Sequence, residues 1–297
     1  MKFKLRRYLL YYLARVGIFF ISLLPLKIGL PIAAGIGRLA YWVLPKYRKI
    51  TIENLRLAFG SQKTDLQIRA IAKDVFANLG KNAIELINFP KLNERNIDSF
   101  VTMVNAERLD EGYRRGKGII IITAHFGNWE LLSATLRIKK YPGVAIGRRI
   151  YFDKYDKYLN RLRKVHDVNI IYRDESPRKA LKVLKENRIV GIVADQDVDS
   201  VDGVFVDFFG VKAYTPAGPA ALAKASGAVM LPTVIVRKNG HHELIVEEPV
   251  ELVNTGDKAS DLVENTRRWS RVLESYIRRY PEQWVWMHRR WKTKYEG

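Results

Sequence analysis

At 297 residues, 47% of them hydrophobic, the chain has enough apolar material for a sizeable core in one large domain or two small ones. It contains no cysteine, which excludes disulfides, thiol catalysis and thiolate metal sites and suits folding on the cytoplasmic side. The formal charge of +20 calls for an anionic partner: nucleic acid, an anionic membrane surface, or an acidic protein or substrate.

The amino-terminal segment bears on that choice. Lys2, Lys4, Arg6 and Arg7 precede a nearly continuous apolar run from Tyr8 to Leu26, broken by Arg15, and further apolar stretches follow at 31–37 and 39–45. A secretory signal would start this way, but there is no convincing small-residue cleavage site and the apolar character continues beyond it. The length suffices for a span. Central Leu, Ile, Phe and Val each contribute roughly −0.3 to −0.6 kcal/mol, and a central Arg costs about +2.5 to +3.5 kcal/mol. Arg15 and Pro25 bring the sum near zero, so a helix in the interface and a tilted span with Arg15 snorkelling are both open. A buried hairpin in a soluble core competes with both. The basic flank places the amino terminus inside. Residues 1–45 are read as membrane-anchoring hydrophobic helices, and residues 46–297 as a single domain without internal repeats or a Pro/Gly/Ser-rich linker.

Residues 46–60 read as a basic amphipathic helix ended by Gly60. Helical periodicity continues through Ile68, Ile71, Val75, Leu79, Ala83, Leu86 and Ile87, stopping before Pro90. From about residue 100 strands alternate with helices. The β-branched run at 118–123 and its counterparts at 144–146 and 189–194 read as strands buried on both faces. Helices are expected at 156–165 and 177–187, and Thr215 and Pro216 as N-cap and first residue of an Ala-rich helix. A strand at 229–236 turns at Asn239-Gly240 into 241–246. This predicts an α/β fold with a mostly parallel or mixed central sheet flanked by helices.

Three strands end in reactive groups: the first at His125-Phe126-Gly127-Asn128-Trp129-Glu130, the second at Arg148-Arg149, the third at Asp195-Gln196-Asp197. Ligands bind outside the carboxyl ends of strands in open α/β sheets, so these ends are expected to converge. Asn128 is expected to cap the helix carrying Glu130, whose carboxylate would reach back to His125 and leave the other ring nitrogen free as a base. That is two thirds of a hydrolase triad without an adjacent serine. It points to direct attack by an acceptor hydroxyl, deprotonated by His125, on an acyl thioester.

The stretch Ile122-Thr123-Ala124-His125-Phe126-Gly127-Asn128-Trp129-Glu130 resembles the His-x4-Asp/Glu motif of the bacterial lipid A biosynthesis acyltransferases. The late lauroyl and myristoyl transferases belong to that family, as do phosphatidylinositol mannoside acyltransferases. The likeness extends to Glu53-Asn54-Leu55-Arg56, Ala194-Asp195-Gln196, Val206-Asp207-Phe208-Phe209-Gly210, Pro281-Glu282-Gln283-Trp284 and Trp286-Met287-His288-Arg289-Arg290-Trp291, nearly the whole chain in order. It implies that His125 is the general base and Glu130 its partner. It implies too that Arg148 or Arg149, together with Asp195 and Gln196, binds substrate. The family follows its Arg with a Pro/Asn-rich stretch that Ile150-Tyr151-Phe152-Asp153 replaces here; Arg148, next to the strand end, is preferred.

The activity so implied moves an acyl chain from acyl carrier protein, or coenzyme A, to a hydroxyl of a lipid A precursor. It would take place at the cytoplasmic face of the inner membrane, without metal or cofactor. An acidic carrier, an anionic glycolipid and an anionic membrane surface all suit the positive charge. The acyl chain requires an apolar groove, expected to face the anchor. Phosphatidylinositol mannoside and lysophospholipid acylation are the alternatives, and no motif favours nucleic acid. His241-His242-Glu243 follows a turn, so neighbouring side chains point to opposite faces and a metal site is not expected. His166 is expected at the surface, and His288 to be structural. The Thr215-Pro216 helix start could also hold a phosphate.

Overall fold

Proline punctuates the first sixty residues into three helices: α1 (Lys2–Leu23), α2 (Leu26–Val43), which follows Pro25, and α3 (Pro45–Phe59), which starts on Pro45. The computed structural model describes residues 2–198 and 200–296, and the side chains of Lys2, Lys4, Arg6 and Arg7 lie outside the described ones. A capping box between Thr64 and Gln67 opens α4 (Asp65–Ile87). Helices α2 and α4 meet backbone to backbone. A Cβ on Gly37 would stand 2.2 Å from the Phe76 carbonyl oxygen, and one on Gly80 would stand 2.1 Å from that of Ala33. Small residues thus fasten α2 to the body. Its other face, with Ile32, Ile36, Leu39 and Val43, is exposed, as are Leu13, Val16, Phe20 and Leu23 of α1. Among the described residues no single helix is long and apolar enough to cross a membrane; α2 and α3 together would be, but the pair is bent by 93°.

The remaining elements follow in order: β1 (Val101–Val104), α5 (Glu107–Arg114), β2 (Ile119–Thr123), α6 (Trp129–Ile138), β3 (Gly143–Gly147), α7 (Asp153–Lys164) and β4 (Asn169–Tyr172). Then come α8 (Ser176–Lys185), β5 (Ile189–Val193), β6 (Gly203–Phe208), β7 (Val211–Pro216), α9 (Gly218–Ser226), β8 (Val229–Lys238), β9 (His241–Val246) and α10 (Lys258–Arg279). Seven strands form one sheet in the order β1-β9-β8-β2-β5-β3-β4. Pairing is parallel except between β8 and β9, so the chain has the mixed, mostly parallel α/β fold that its residue pattern predicts. Strand β2 is buried at every position. Ile120 and Ile122 pack with Leu184 of α8, Ala223 of α9 and Leu273 of α10, while Ile119 and Ile121 pack with Leu131 and Leu136 of α6.

The Thr215-Pro216 helix start is corrected. Both residues end β7, which pairs antiparallel with β6, and α9 begins only at Gly218 after Ala217. The local capping signal loses to hairpin pairing, and the Thr215 hydroxyl donates to the Ala213 carbonyl. Its oxygen also accepts from Arg290, so this hydroxyl caps no helix.

Candidate active site

The loop 124–128 leaves β2 and turns sharply at Gly127, whose φ is +54°. A Cβ there would fall 1.7 Å from the Ile235 carbonyl oxygen, so only glycine fits. Asn128 caps α6 as expected, its side-chain oxygen accepting from Leu131 N at 3.1 Å. The carboxyl-terminal tail pairs with the loop: Gly127 N donates to the Gln283 carbonyl and Val285 N to the His125 carbonyl.

The carboxylate on the His125 ring is Asp195, not Glu130. His125 Nδ1 lies 2.7 Å from Asp195 Oδ1, and Asp195 Oδ2 accepts from His125 N at 2.9 Å and from Trp284 Nε1 at 2.6 Å. Burial pushes the Asp195 carboxyl up. The charge and hydrogen bond of His125, the charge of His288 and the Trp284 N–H outweigh that and hold it well below the usual carboxylate range. An ionised Asp195 assigns the ring proton to Nδ1, so Nε2, with the Gln196 amide nitrogen 3.3 Å away, carries the lone pair. The imidazole side chain keeps 24% of its surface exposed against 2% for Asp195, so His125 is the member that a substrate can reach.

Glu130 departs from the expected reach toward His125. It forms a two-pronged ion pair with Arg163 of α7, at 2.8 Å to Nε and 2.5 Å to Nη2, because α7 packs where that carboxylate points. Gln196 stands 3.1 and 3.3 Å from the two His125 ring nitrogens, and its amide nitrogen donates to His288 Nε2 at 2.7 Å. Burial, and secondarily the charge of His125, push the His288 pKa down to about 4, so it accepts that hydrogen bond as a neutral ring. Asp197 accepts from the backbone and hydroxyl of Thr293.

Beneath the loop lies a buried polar platform. Asn82 donates to the Gly127 carbonyl at 2.5 Å, and Asn128 donates to Glu85 at 2.7 Å. Glu85 in turn holds Arg237 in an ion pair and meets His242 Nε2 at 3.0 Å. His241 instead reaches Thr102 at 2.8 Å and Glu243 pairs with Lys238, so the three consecutive residues diverge. Among the described residues no three His, Asp or Glu side chains group to hold a metal. His166, partly buried, meets the Phe89 carbonyl at 2.7 Å.

A cavity of about 720 Å³ opens at His125. Its polar rim includes His125, Glu130, Arg148, Arg163, Arg173 and Gln196, and its interior is apolar, with Ile121, Leu132, Leu136, Ala145, Ile170 and Val193. It lies between the sheet face of β2, β5, β3 and β4 and the helices α6 and α7, while α1 stacks on α7 through Tyr8 and Tyr11 against Phe152 and Tyr155. Arg148 lines the rim; Arg149 lies over the Tyr172 ring at 4.0 Å and is not among the lining residues. Burial and the charge of Arg148 both lower the Arg173 pKa, so two guanidinium groups share this rim. Arg163, Arg173, Trp284 and His288 were not singled out as site residues from sequence. The end of β4 carries Arg173 just as the other strand ends carry their polar groups, but a four-residue strand leaves little periodic signal.

The family described as bacterial lipid A biosynthesis acyltransferase matches residues 1–293. The chain is similar to the lipid A biosynthesis lauroyltransferase of Escherichia coli (strain K12), 27% identical over 98% of this chain and 94% of that protein. It is 25% identical to the lipid A biosynthesis palmitoleoyltransferase of the same organism, over 88% of this chain and 84% of that protein. The phosphatidylinositol mannoside acyltransferase of Mycobacterium tuberculosis (strain ATCC 25618 / H37Rv) is 28% identical over 50% of this chain and 49% of its own length.

Proposed function

The chain belongs to the bacterial lipid A biosynthesis acyltransferase family, and from that premise we propose that it moves a fatty acyl chain from acyl carrier protein to a hydroxyl of a lipid A precursor, with His125 as general base. The observation that carries this reading is an imidazole anchored through Nδ1 on buried Asp195, facing a cavity that is cationic at its rim and apolar within. The acceptor hydroxyl gives its proton to His125 Nε2 while its oxygen attacks the thioester carbonyl. As the tetrahedral intermediate collapses, the carbon–sulfur bond breaks and the imidazolium returns the proton to the leaving thiolate. Asp195 holds the tautomer and stabilises the imidazolium. Arg148 and the Gln196 amide supply positive charge and a donor for the developing oxyanion. Glu130 acts at one remove, neutralising Arg163 in the cavity wall.

Lipid A precursor is favoured over mannosylated phosphatidylinositol because likeness to the lipid A enzymes runs along nearly the whole chain and likeness to the mannoside enzyme along half. The exposed apolar faces of α1 and α2 support attachment of residues 1–45 to the cytoplasmic face of the inner membrane, lying in the interface. The net charge of +20 suits anionic lipid and an acidic carrier.

The test supplies the protein, in anionic phospholipid vesicles, with labelled acyl carrier protein or acyl coenzyme A. The acceptors are tetra-acylated lipid A precursor, mannosylated phosphatidylinositol and lysophosphatidic acid. The expected result is acylated lipid A precursor made from the carrier protein, with the protein floating with the vesicles. Transfer to another acceptor alone would replace the pathway, and no transfer by folded protein would overturn the proposal.

A further inference from the structure

Side chains alternate along β5, so Ile189, Gly191 and Val193 face the cavity and Val190 packs into the opposite core. Across the sheet Gly191 stands in register with Ile121 of β2 and Ala145 of β3, and Ala145 with Ile170 of β4. The neighbouring rows contribute Gly147 toward the rim and Gly143 toward the far end, and both line the cavity. Residues with little or no side chain therefore cut a trough in the sheet face, running from the reactive end toward Tyr141 and Leu136.

These small residues are not equivalent. A Cβ on Gly143 would stand 2.6 Å from Ile189 Cβ, and one on Gly147 would stand 3.0 Å from Ile170 Cγ2. At Gly191 the nearest atoms are Val144 O at 3.7 Å and Ala145 Cα at 3.9 Å, ordinary contact distances. Its backbone is not in the positive-φ region. Nothing in the packing of the sheet requires glycine there; what glycine provides is empty space at the middle of the cavity.

We propose that Gly191 sets the length of the acyl chain: the missing side chain lets the hydrocarbon pass from the His125 end into the chamber floored by Ile189 and closed by Leu136 and Tyr141. This rests on the acyl-transfer reading above. Val193 to Ile189 spans four residues, about 13 Å at the parallel-strand rise. With C–C bonds of about 1.5 Å an extended chain advances about 1.3 Å per carbon, so this length houses about ten carbons. About half of it lies beyond Gly191.

Donors of eight to sixteen carbons, all on acyl carrier protein, are compared for wild type, Gly191→Ala and Gly191→Leu, with one acceptor throughout. The leucine variant is expected to shift the preferred donor shorter by about five carbons. Its preference for the short over the long donor should rise by about 100-fold, with Gly191→Ala in between. Competition of free fatty acids of the same lengths against a fluorescent fatty acid reads the chamber without chemistry and should show the same truncation. Melting temperatures near wild type are expected, since leucine suits a strand at least as well as glycine. An unchanged length profile in folded variants would overturn the proposal. So would a uniform loss on all donors, or a shift confined to the acceptor's chains. If wild type itself transfers nothing yet the fatty-acid profile shortens in Gly191→Leu, the length gate stands and the acyl-transfer reading fails.

Discussion

Asp195→Asn is expected to lower kcat by about 10⁴-fold while leaving KM for either substrate near its wild-type value, as loss of the orienting carboxylate does in a triad enzyme. The asparagine fills the same space, but its amide nitrogen can donate to Nδ1, which turns the lone pair away from the substrate side and leaves the imidazolium without a counter-charge. The backbone N–H of His125 and the indole N–H of Trp284 also end on this carboxylate, so its charge organises three donors at once. Glu130→Gln should fall far less, because Glu130 holds Arg163 rather than the ring. Steady-state kinetics of the two variants decide the matter. A deeper loss in Glu130→Gln than in Asp195→Asn would return the partner role to Glu130.

The second large effect concerns stability. Glu85→Ala is expected to cost about 3–5 kcal/mol, since it leaves the Arg237 guanidinium buried without its counter-ion. The Asn128 amide and His242 would lose a partner as well, loosening the platform under the His125 loop. Burial alone would raise the Glu85 pKa, but hydrogen bonding and charge from His242 and Arg237 bring it down to about 2 from 4.5. A carboxyl depressed on folding stabilises the native state above its unfolded pKa, and the contribution fades as the pH falls from about 4.5 toward 2. A shift of that size corresponds to about 3 kcal/mol. Urea unfolding of wild type and Glu85→Ala at pH 7 and pH 3 should give curves that differ widely at pH 7 and approach each other at pH 3. Variant stability within about 1 kcal/mol of wild type at pH 7 would remove the platform from this account.

The sheet was legible because β2, β5 and the second half of β8 are short apolar runs rich in β-branched residues, and the Asn128 cap because a cap is a local signal. The partner of His125 was not, because it lies 70 residues away along the chain. A five-residue reach to Glu130 is the kind of contact that sequence spacing suggests, whereas Asp195 arrives through the parallel register Thr123↔Val193. His125 and Asp195 each sit two residues past that pair, so knowing that β2 and β5 are neighbours would have matched them. The platform had a readable sign: Glu85, Asn82 and Asn78, whose side-chain oxygen accepts from Arg237 Nε at 3.0 Å, recur at helical spacing on an otherwise apolar face of α4. His288 stands in a stretch that resembles the family, but its place beside His125 was not legible, because it depends on a tail whose irregular backbone folds back over the loop.

The most direct test of the central claim is the rate of acyl transfer by His125→Ala under the conditions in which wild type acylates its lipid acceptor, with circular dichroism to confirm the fold. General-base catalysis by His125 predicts a loss of about 10³-fold or more. A folded variant that keeps its rate within about tenfold of wild type would contradict the assignment, since a hydroxyl would then be reaching the thioester without His125.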